Sequence, residues 1–259
     1  MVLWHYTSID VLTSIIGCRK PTLRATHIDF LNDAAELRHG LRAIKEIMVK
    51  FGSASSSNVV SQLDEFLDDG YDPHLYSFSL SEAKNSLYQW LAYCPKDGGV
   101  SLGFEFSDNM IMRDIPSYRN VFELPLPNCP YPQIPQYRKC NYFSSPDEIK
   151  SEWYCPQPKK STAAELLINA MFLKHSAFHF EQEHRLFFHP MPDSDFYVPP
   201  KFQGAKPYIE FNFEPSILKY VYISPRGNKS LVEKAVKKIL STHGYQHVEV
   251  LVSDIPFRE

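Results

Sequence analysis

Glycine is scarce in this chain, with 10 residues in 259, and neither G-x-G-x-x-G nor G-x-x-x-x-G-K-[ST] occurs. Both phosphate-binding loops need glycine where the backbone comes against the ligand, so the sequence argues against a doubly wound dinucleotide fold and a P-loop. A G-x-S-x-G elbow is missing as well, which removes the usual α/β-hydrolase nucleophile. Long apolar runs are also absent. No stretch approaches the roughly 20 residues of a membrane helix, and no basic region followed by an apolar one and a cleavage site opens the chain. The five cysteines (Cys18, Cys94, Cys129, Cys140 and Cys155) are odd in number and never form C-x-x-C. That pattern opposes a disulfide framework and a zinc site, and a cytoplasmic protein without a membrane partner is expected. The formal net charge of -3 provides no general basic field, so binding to nucleic acid by phosphate neutralisation has no support from the totals. A local basic groove stays open. There is no H-E-x-x-H, and the spacing of His175, His179, His184 and His189 does not converge on one ion, so no metal centre is expected.

What the chain does have is ordinary globular composition, 44% hydrophobic and 22% charged, enough to bury a full core. Val2 to Tyr6 reads as a strand, and Thr7-Ser8 offers an N-cap for a helix over Ile9 to Ile16 that Gly17 ends. Asn32 or Asp33 is the natural cap of an amphipathic helix through Leu37, Leu41, Ile44 and Met48, and Val59 to Leu67 is a second helix. Leu75 to Leu80 alternates apolar and hydroxyl residues as a central strand does, which turns Ser77 and Ser79 to one face. Asn85 to Tyr93 is a short aromatic helix, and Val100 to Phe106 another strand. Residues 107–162 are proline-rich and predict a long irregular excursion around one strand near Arg138 to Phe143. Thr162 to Phe178 is the expected late helix. Strands at Tyr208 to Phe213, Lys219 to Ile223 and His247 to Val252 and a helix at Leu231 to Leu240 complete the chain. This order predicts one domain over 1–259, of α+β class, with mixed, largely antiparallel curved sheets and flanking helices.

The stretch with the strongest chemical signal is Phe178 to Phe188, FHFEQEHRLFF. Read as one buried strand, it places Glu181, Glu183 and Arg185 on a single face, the two acids about 7 Å apart at Cα. Two carboxylates that close repel unless they are protonated, paired with Arg185 or bound to a cation. A structural Glu-Arg network gives the same pattern as a working pair. His5, at the end of the first strand before a capped helix, fits either a ligand contact or a core histidine bonded to a carbonyl.

His-Tyr-Thr-Ser at His5 to Ser8, Leu31-Asn32-Asp33 with Glu36, Ser77 and Ser79, Trp90 with Tyr93, Gly99 to Gly103 with Phe104, and Glu181-x-Glu183-x-Arg185 together resemble a bacterial family, domain of unknown function 2971. Its members carry H-Y-T-S, F-N-D-x-x-E, S-x-S, W-x-x-Y, G-x-x-x-G-F and E-x-E-x-R, and the match spans His5 to Pro225. Leu31 stands where that family usually has phenylalanine. More distantly, the arrangement is similar to the ADP-ribosyltransferase superfamily. The resemblance implies an ADP-ribosyltransferase-like fold that consumes NAD, with Glu183 catalytic, Glu181 orienting the acceptor and His5 holding the nicotinamide ribose. It further implies Tyr76, Trp90 or Tyr93 against the nicotinamide, and contacts to NAD among His5, Tyr6, Thr7, Asn32, Ser79, Trp90, Tyr93 and Arg185. A macromolecular acceptor, protein or nucleic acid, and a toxin or anti-phage role with an antitoxin or defence-system partner belong to the same expectation. The alternative is a non-enzymatic nucleotide or nucleic-acid binding module.

Overall fold

The fold is that of a computed structural model, which describes residues 1–17, 20–31, 35–51, 57–106, 136–154, 162–190 and 199–257. Much of the proline-rich excursion and the candidate cap Asn32 or Asp33 lie outside the described residues. In chain order the elements are β1 (Val2–Thr7), α1 (Ile9–Ile16), β2 (Thr22–His27), α2 (Glu36–Phe51), α3 (Ser57–Leu67), β3 (Tyr76–Ser81), α4 (Leu87–Tyr93) and β4 (Val100–Glu105). There follow β5 (Gln136–Lys139), β6 (Asn141–Phe143), α5 (Ser151–Tyr154), α6 (Ala163–Ala170), β7 (Leu173–His175) and β8 (Glu183–Phe188). The chain closes with β9 (Lys201–Gln203), β10 (Lys206–Asn212), β11 (Leu218–Ile223), α7 (Lys229–Thr242) and β12 (Glu249–Val252). The class is α+β with a largely antiparallel main sheet, as the element order predicts.

That sheet runs β12-β11-β4-β1-β3-β2-β10-β9, with β8 beside β3 and β5 beside β8; β6 and β7 form a separate parallel pair. Among the described residues, β11 and β12 form the one parallel pair of the main sheet. Strand β3 organises it. Its whole length pairs with β8, from Tyr76↔Phe188 to Ser81↔Glu183. A strand has two edges, so β1 and β2 must share the other one: β1 holds the end at Trp4↔Ser81, and β2 holds the beginning at His27↔Tyr76 and Thr26↔Ser77. Between them β1 and β2 fork apart, and among the described residues Phe78 to Leu80 have no ladder partner on that edge.

Residues paired across a ladder point to the same face, so Trp4, Tyr6, Thr26, Ser77, Ser79, Ser81, Glu183, Arg185 and Phe187 share one side of the sheet. The other side carries Leu3, Phe78, Leu80 and Leu186, which form the main core with α1 and α7. On the first side there are two separate apolar clusters. Trp4, Tyr6, Trp90 and Tyr222 pack under α4, while Phe187 joins α2, α3 and α6 through Leu41, Leu63, Leu166 and Phe172. The polar face lies between them.

Two expectations are corrected. The late helix begins where Thr162 and Glu165 form a capping box, but it ends at Ala170, and Leu173–His175 is a strand beside β6. The apolar run Leu166 to Leu173 continues past the end, so periodicity alone reads through it. Glu181 does not lie on the strand with Glu183. It ends a 3-10 turn over Ser176–Glu181, and Gln182, with φ 44°, joins the turn to β8.

Gly103 shows what the G-x-x-x-G spacing serves. A Cβ there would come within 2.8 Å of the Trp4 ring and 3.0 Å of Tyr220 Cβ, and one at Gly99 within 2.7 Å of Cys94 and of the Thr7 carbonyl. Both are packing glycines. Gly103→Ala should lower stability by about 2 kcal/mol by overpacking a site closed by the Trp4 ring and Tyr220 Cβ, measured as a shift in the urea midpoint.

Candidate functional site

The fork and the polar face bound a cavity of about 490 Å³, within the range of roughly 300–1,000 Å³ typical of small-molecule sites. His5 and Tyr6 come to it from β1, Arg24 and Thr26 from β2, Ser77, Ser79 and Ser81 from β3, and Lys206 from β10. Its floor is made by Glu36, Lys174, Glu181, Glu183 and Arg185, with Gln89 and Tyr93 above them from α4.

The floor is a closed ionic cluster. Arg185, 1% exposed, donates from Nε to Glu183 Oε1 at 2.8 Å and from Nη2 to Glu183 Oε2 at 2.9 Å. Nη1 donates to the Met171 carbonyl, and Nη2 also donates to Glu36 at the start of α2. Lys174 reaches Glu181 at 2.5 Å, Glu36 at 2.7 Å and Glu183 at 2.8 Å. Tyr93 donates its hydroxyl to Glu181 Oε1 at 2.6 Å, and the Glu181 carbonyl accepts from Ser81 Oγ and Gln89 Nε2. Tyr142 accepts from the Glu183 backbone N-H at 2.7 Å, fixing the first residue of the strand. Three carboxylates meet two cations, so the floor holds one negative charge in excess.

Burial disfavours ionised Glu183, but Arg185 and Lys174 outweigh it and bring its carboxyl down to about 2. Its share of folding stability is complete above the ordinary value of 4.5 and is lost as pH falls from there toward 2. Burial also works against the Lys174 ammonium, yet Glu183 and Glu36 raise it above the ordinary lysine range. Burial, then the bond to Glu181, pushes the Tyr93 hydroxyl up, so it remains a donor. Two polar atoms on the cavity wall lack a directed hydrogen bond: Ser77 Oγ and Glu36 Oε1, whose contact to Lys174 is an ion pair off the hydrogen-bond axis.

Residues 89–186 match the model of a family described as a protein of unknown function (DUF2971). No curated protein and no solved structure matches the chain. The DUF2971 span runs from Gln89 in α4 to Leu186 in β8 and so contains Tyr93, Lys174, Glu181, Glu183 and Arg185. His5 and Glu36, which complete the cavity, lie before it.

Of the residues singled out from sequence, the cavity brings together His5, Tyr6, Ser79, Tyr93, Glu181, Glu183 and Arg185. His5 stands on the opposite sheet face from Glu183, its ring tilted against Phe78 with centroids 4.4 Å apart, and reaches the cavity through the fork. Its Nδ1 lies 3.0 Å from the Ser79 carbonyl, so Nδ1 carries the proton and Nε2 is the acceptor. Burial lowers its pKa, more than the carbonyl raises it, and keeps the ring neutral near pH 7. Thr7 and Trp90 stand away from the cavity. Trp90 is fully buried with its Nε1 on Asn85 Oδ1 at 2.9 Å, and Thr7 ends β1 with its carbonyl against Cys94 Sγ. Tyr76 is likewise core, edge-on to His27. That leaves Tyr93 as the member of the aromatic trio on the wall, with its hydroxyl engaged by Glu181. The guanidinium of Arg185 is taken up by protein groups. Asn32 lies outside the described residues.

Sequence reasoning missed Lys174, Gln89, Arg24, Thr26 and Lys206, and read Glu36 within a motif without a separate role. Lys174 falls inside a stretch read as helix; its signal was a lone cation directly after the apolar run Ala170 to Leu173. Glu36 meets Arg185 across 149 positions, a contact no local pattern displays.

Proposed function

We propose that the cavity binds NAD and breaks its N-glycosidic bond, passing ADP-ribose to a macromolecular acceptor or to water, on a scaffold of ADP-ribosyltransferase type. The observation that carries this reading is the uncompensated negative charge of the floor, facing a cavity whose other wall holds Arg24 and Lys206. A ligand with a cationic ring at one end and phosphates in the middle is complementary to both. Glu36 Oε1, ion-paired with Lys174 but without a hydrogen bond, can accept from a ribose hydroxyl, and Ser77 Oγ can give or take a hydrogen bond, so the wall fits a polyhydroxylated ligand.

The chemistry follows from charge. When the bond from C1′ to the pyridinium nitrogen breaks, its electron pair leaves with neutral nicotinamide and positive charge develops on the ribose. A carboxylate that is buried, ionised and held rigid stabilises that charge without reorganising. Glu183 meets those terms; its depressed pKa makes it a poor proton acceptor and a good fixed anion. Neutral His5 can accept from a ribose hydroxyl through Nε2. The oxygen of water or of the acceptor then bonds to C1′ and releases its proton to solvent.

Incubating the purified chain with NAD, with and without cell lysate, should release nicotinamide well above a no-protein control. Absence of release in both arms ends the enzyme reading. Calorimetric binding of NAD without turnover would leave a nucleotide-binding module in its place.

A further inference from the structure

We infer that Lys174 is the positioning residue of this site: its ammonium, shared by Glu36, Glu181 and Glu183, holds the two acids of the E-x-E pair on one point. The inference rests on the NAD-cleaving reading for its activity readout, and on geometry for the rest.

The ammonium lies within 2.8 Å of three carboxylates, hydrogen-bonded to Glu181 and Glu183 and ion-paired with Glu36. Arg185 engages Glu183 and Glu36, whereas Lys174 also takes Glu181. It is therefore the link that ties the residue before the left-handed joint at Gln182 to the residue after it. The joint gives Glu181 no strand neighbour to fix its side chain, and apart from Lys174 its carboxylate is held by the hydroxyl of Tyr93. The groups facing the cluster are Glu36 from α2, Tyr93 from α4, Cys140 from the joint between β5 and β6, Tyr142 from β6, and Glu183 and Arg185 from β8. Phe178 closes over the ammonium at 4.9 Å and sheds water from it.

Without the ammonium, three carboxylates would face Arg185 alone. Two negative charges in excess in a buried site is an arrangement that a carboxyl relieves by taking a proton. A protonated acid in this floor is no longer an anion for the reaction. Lys174 thus acts on the chemistry through the charge state and aim of its neighbours, without touching the reacting atoms.

The test compares wild type, Lys174→Met, Lys174→Arg and the double variant Lys174→Met with Glu181→Gln, by carboxyl-carbon NMR and nicotinamide release against pH. In Lys174→Met one cluster carboxyl should titrate at clearly higher pH than any does in wild type, displaced toward neutrality. Release by Lys174→Met should fall about tenfold per pH unit below that point and return to within about tenfold of wild type above pH 8. Lys174→Arg should keep the wild-type profile. The double variant restores the single excess charge, so its elevated titration should vanish even if the single variant folds poorly. A purely structural lysine would lower release by the same factor at every pH and leave the carboxyls unmoved, which would overturn the inference. So would a double variant that titrates like the single one. If wild type releases no nicotinamide, the function proposed above fails, and the carboxyl titrations still decide the role of Lys174.

Discussion

Arg185→Met should destabilise the protein by about 3–5 kcal/mol, the range for removing one member of a buried ion-pair network. Methionine fills much of the volume, so the effect is electrostatic rather than a cavity. Glu36 and Glu183 lose their arginine partner inside a site 1–5% exposed, and the Met171 carbonyl loses its donor. Lys174 alone then answers three carboxylates. The urea midpoint with unchanged slope is the measurement. A loss under about 1 kcal/mol would mean that the acids reach water freely, contrary to a closed floor.

Glu183→Gln should separate catalysis from folding. Release of nicotinamide should fall about 10²- to 10³-fold, the scale for deleting one preorganised electrostatic contact. Stability should change by no more than about 2 kcal/mol, because the substitution brings the floor to two carboxylates against two cations. The remaining amide oxygen still accepts from Arg185, though the amide N-H groups oppose Lys174. Activity within tenfold of wild type would remove Glu183 from the reaction. Loss of activity together with a midpoint drop as large as that of Arg185→Met would show a damaged fold instead.

The class and most elements of the fold were legible because their signals are local. Ser8 does cap α1, accepting from the Val11 N-H, and the alternation of Tyr76 to Ser81 does place its serines on the polar face. The failures share a cause as well. Leu173–His175 is extended because its partner β6 and the ionic floor require it, and periodicity carries no knowledge of partners. Trp90 and Tyr93 are three residues apart on one short helix, yet one enters an aromatic core and the other the cavity. That division depends on where α4 lies over Tyr6 and Tyr222. The pairing of Glu36 with Arg185 and the fork around β3 are long-range facts. The fork arises because β1 and β2 share the one edge of β3 that β8 leaves open, which the order of elements does not encode.

Gln182 has a wider meaning than its neutral side chain suggests. At φ 44° it sits where β-branched residues are strongly disfavoured and where asparagine or glycine fit at little strain. The path of the chain between the two acids thus turns at one backbone torsion, and Lys174 closes their carboxylates across it. Straightening that torsion would swing residue 181 into strand register and draw its carbonyl away from Ser81 and Gln89, with every ionisable group still in the chain. A lineage of such proteins can therefore retune or silence the pair by exchanging a residue that takes no part in the chemistry, and an inventory of intact acids and bases would not reveal it.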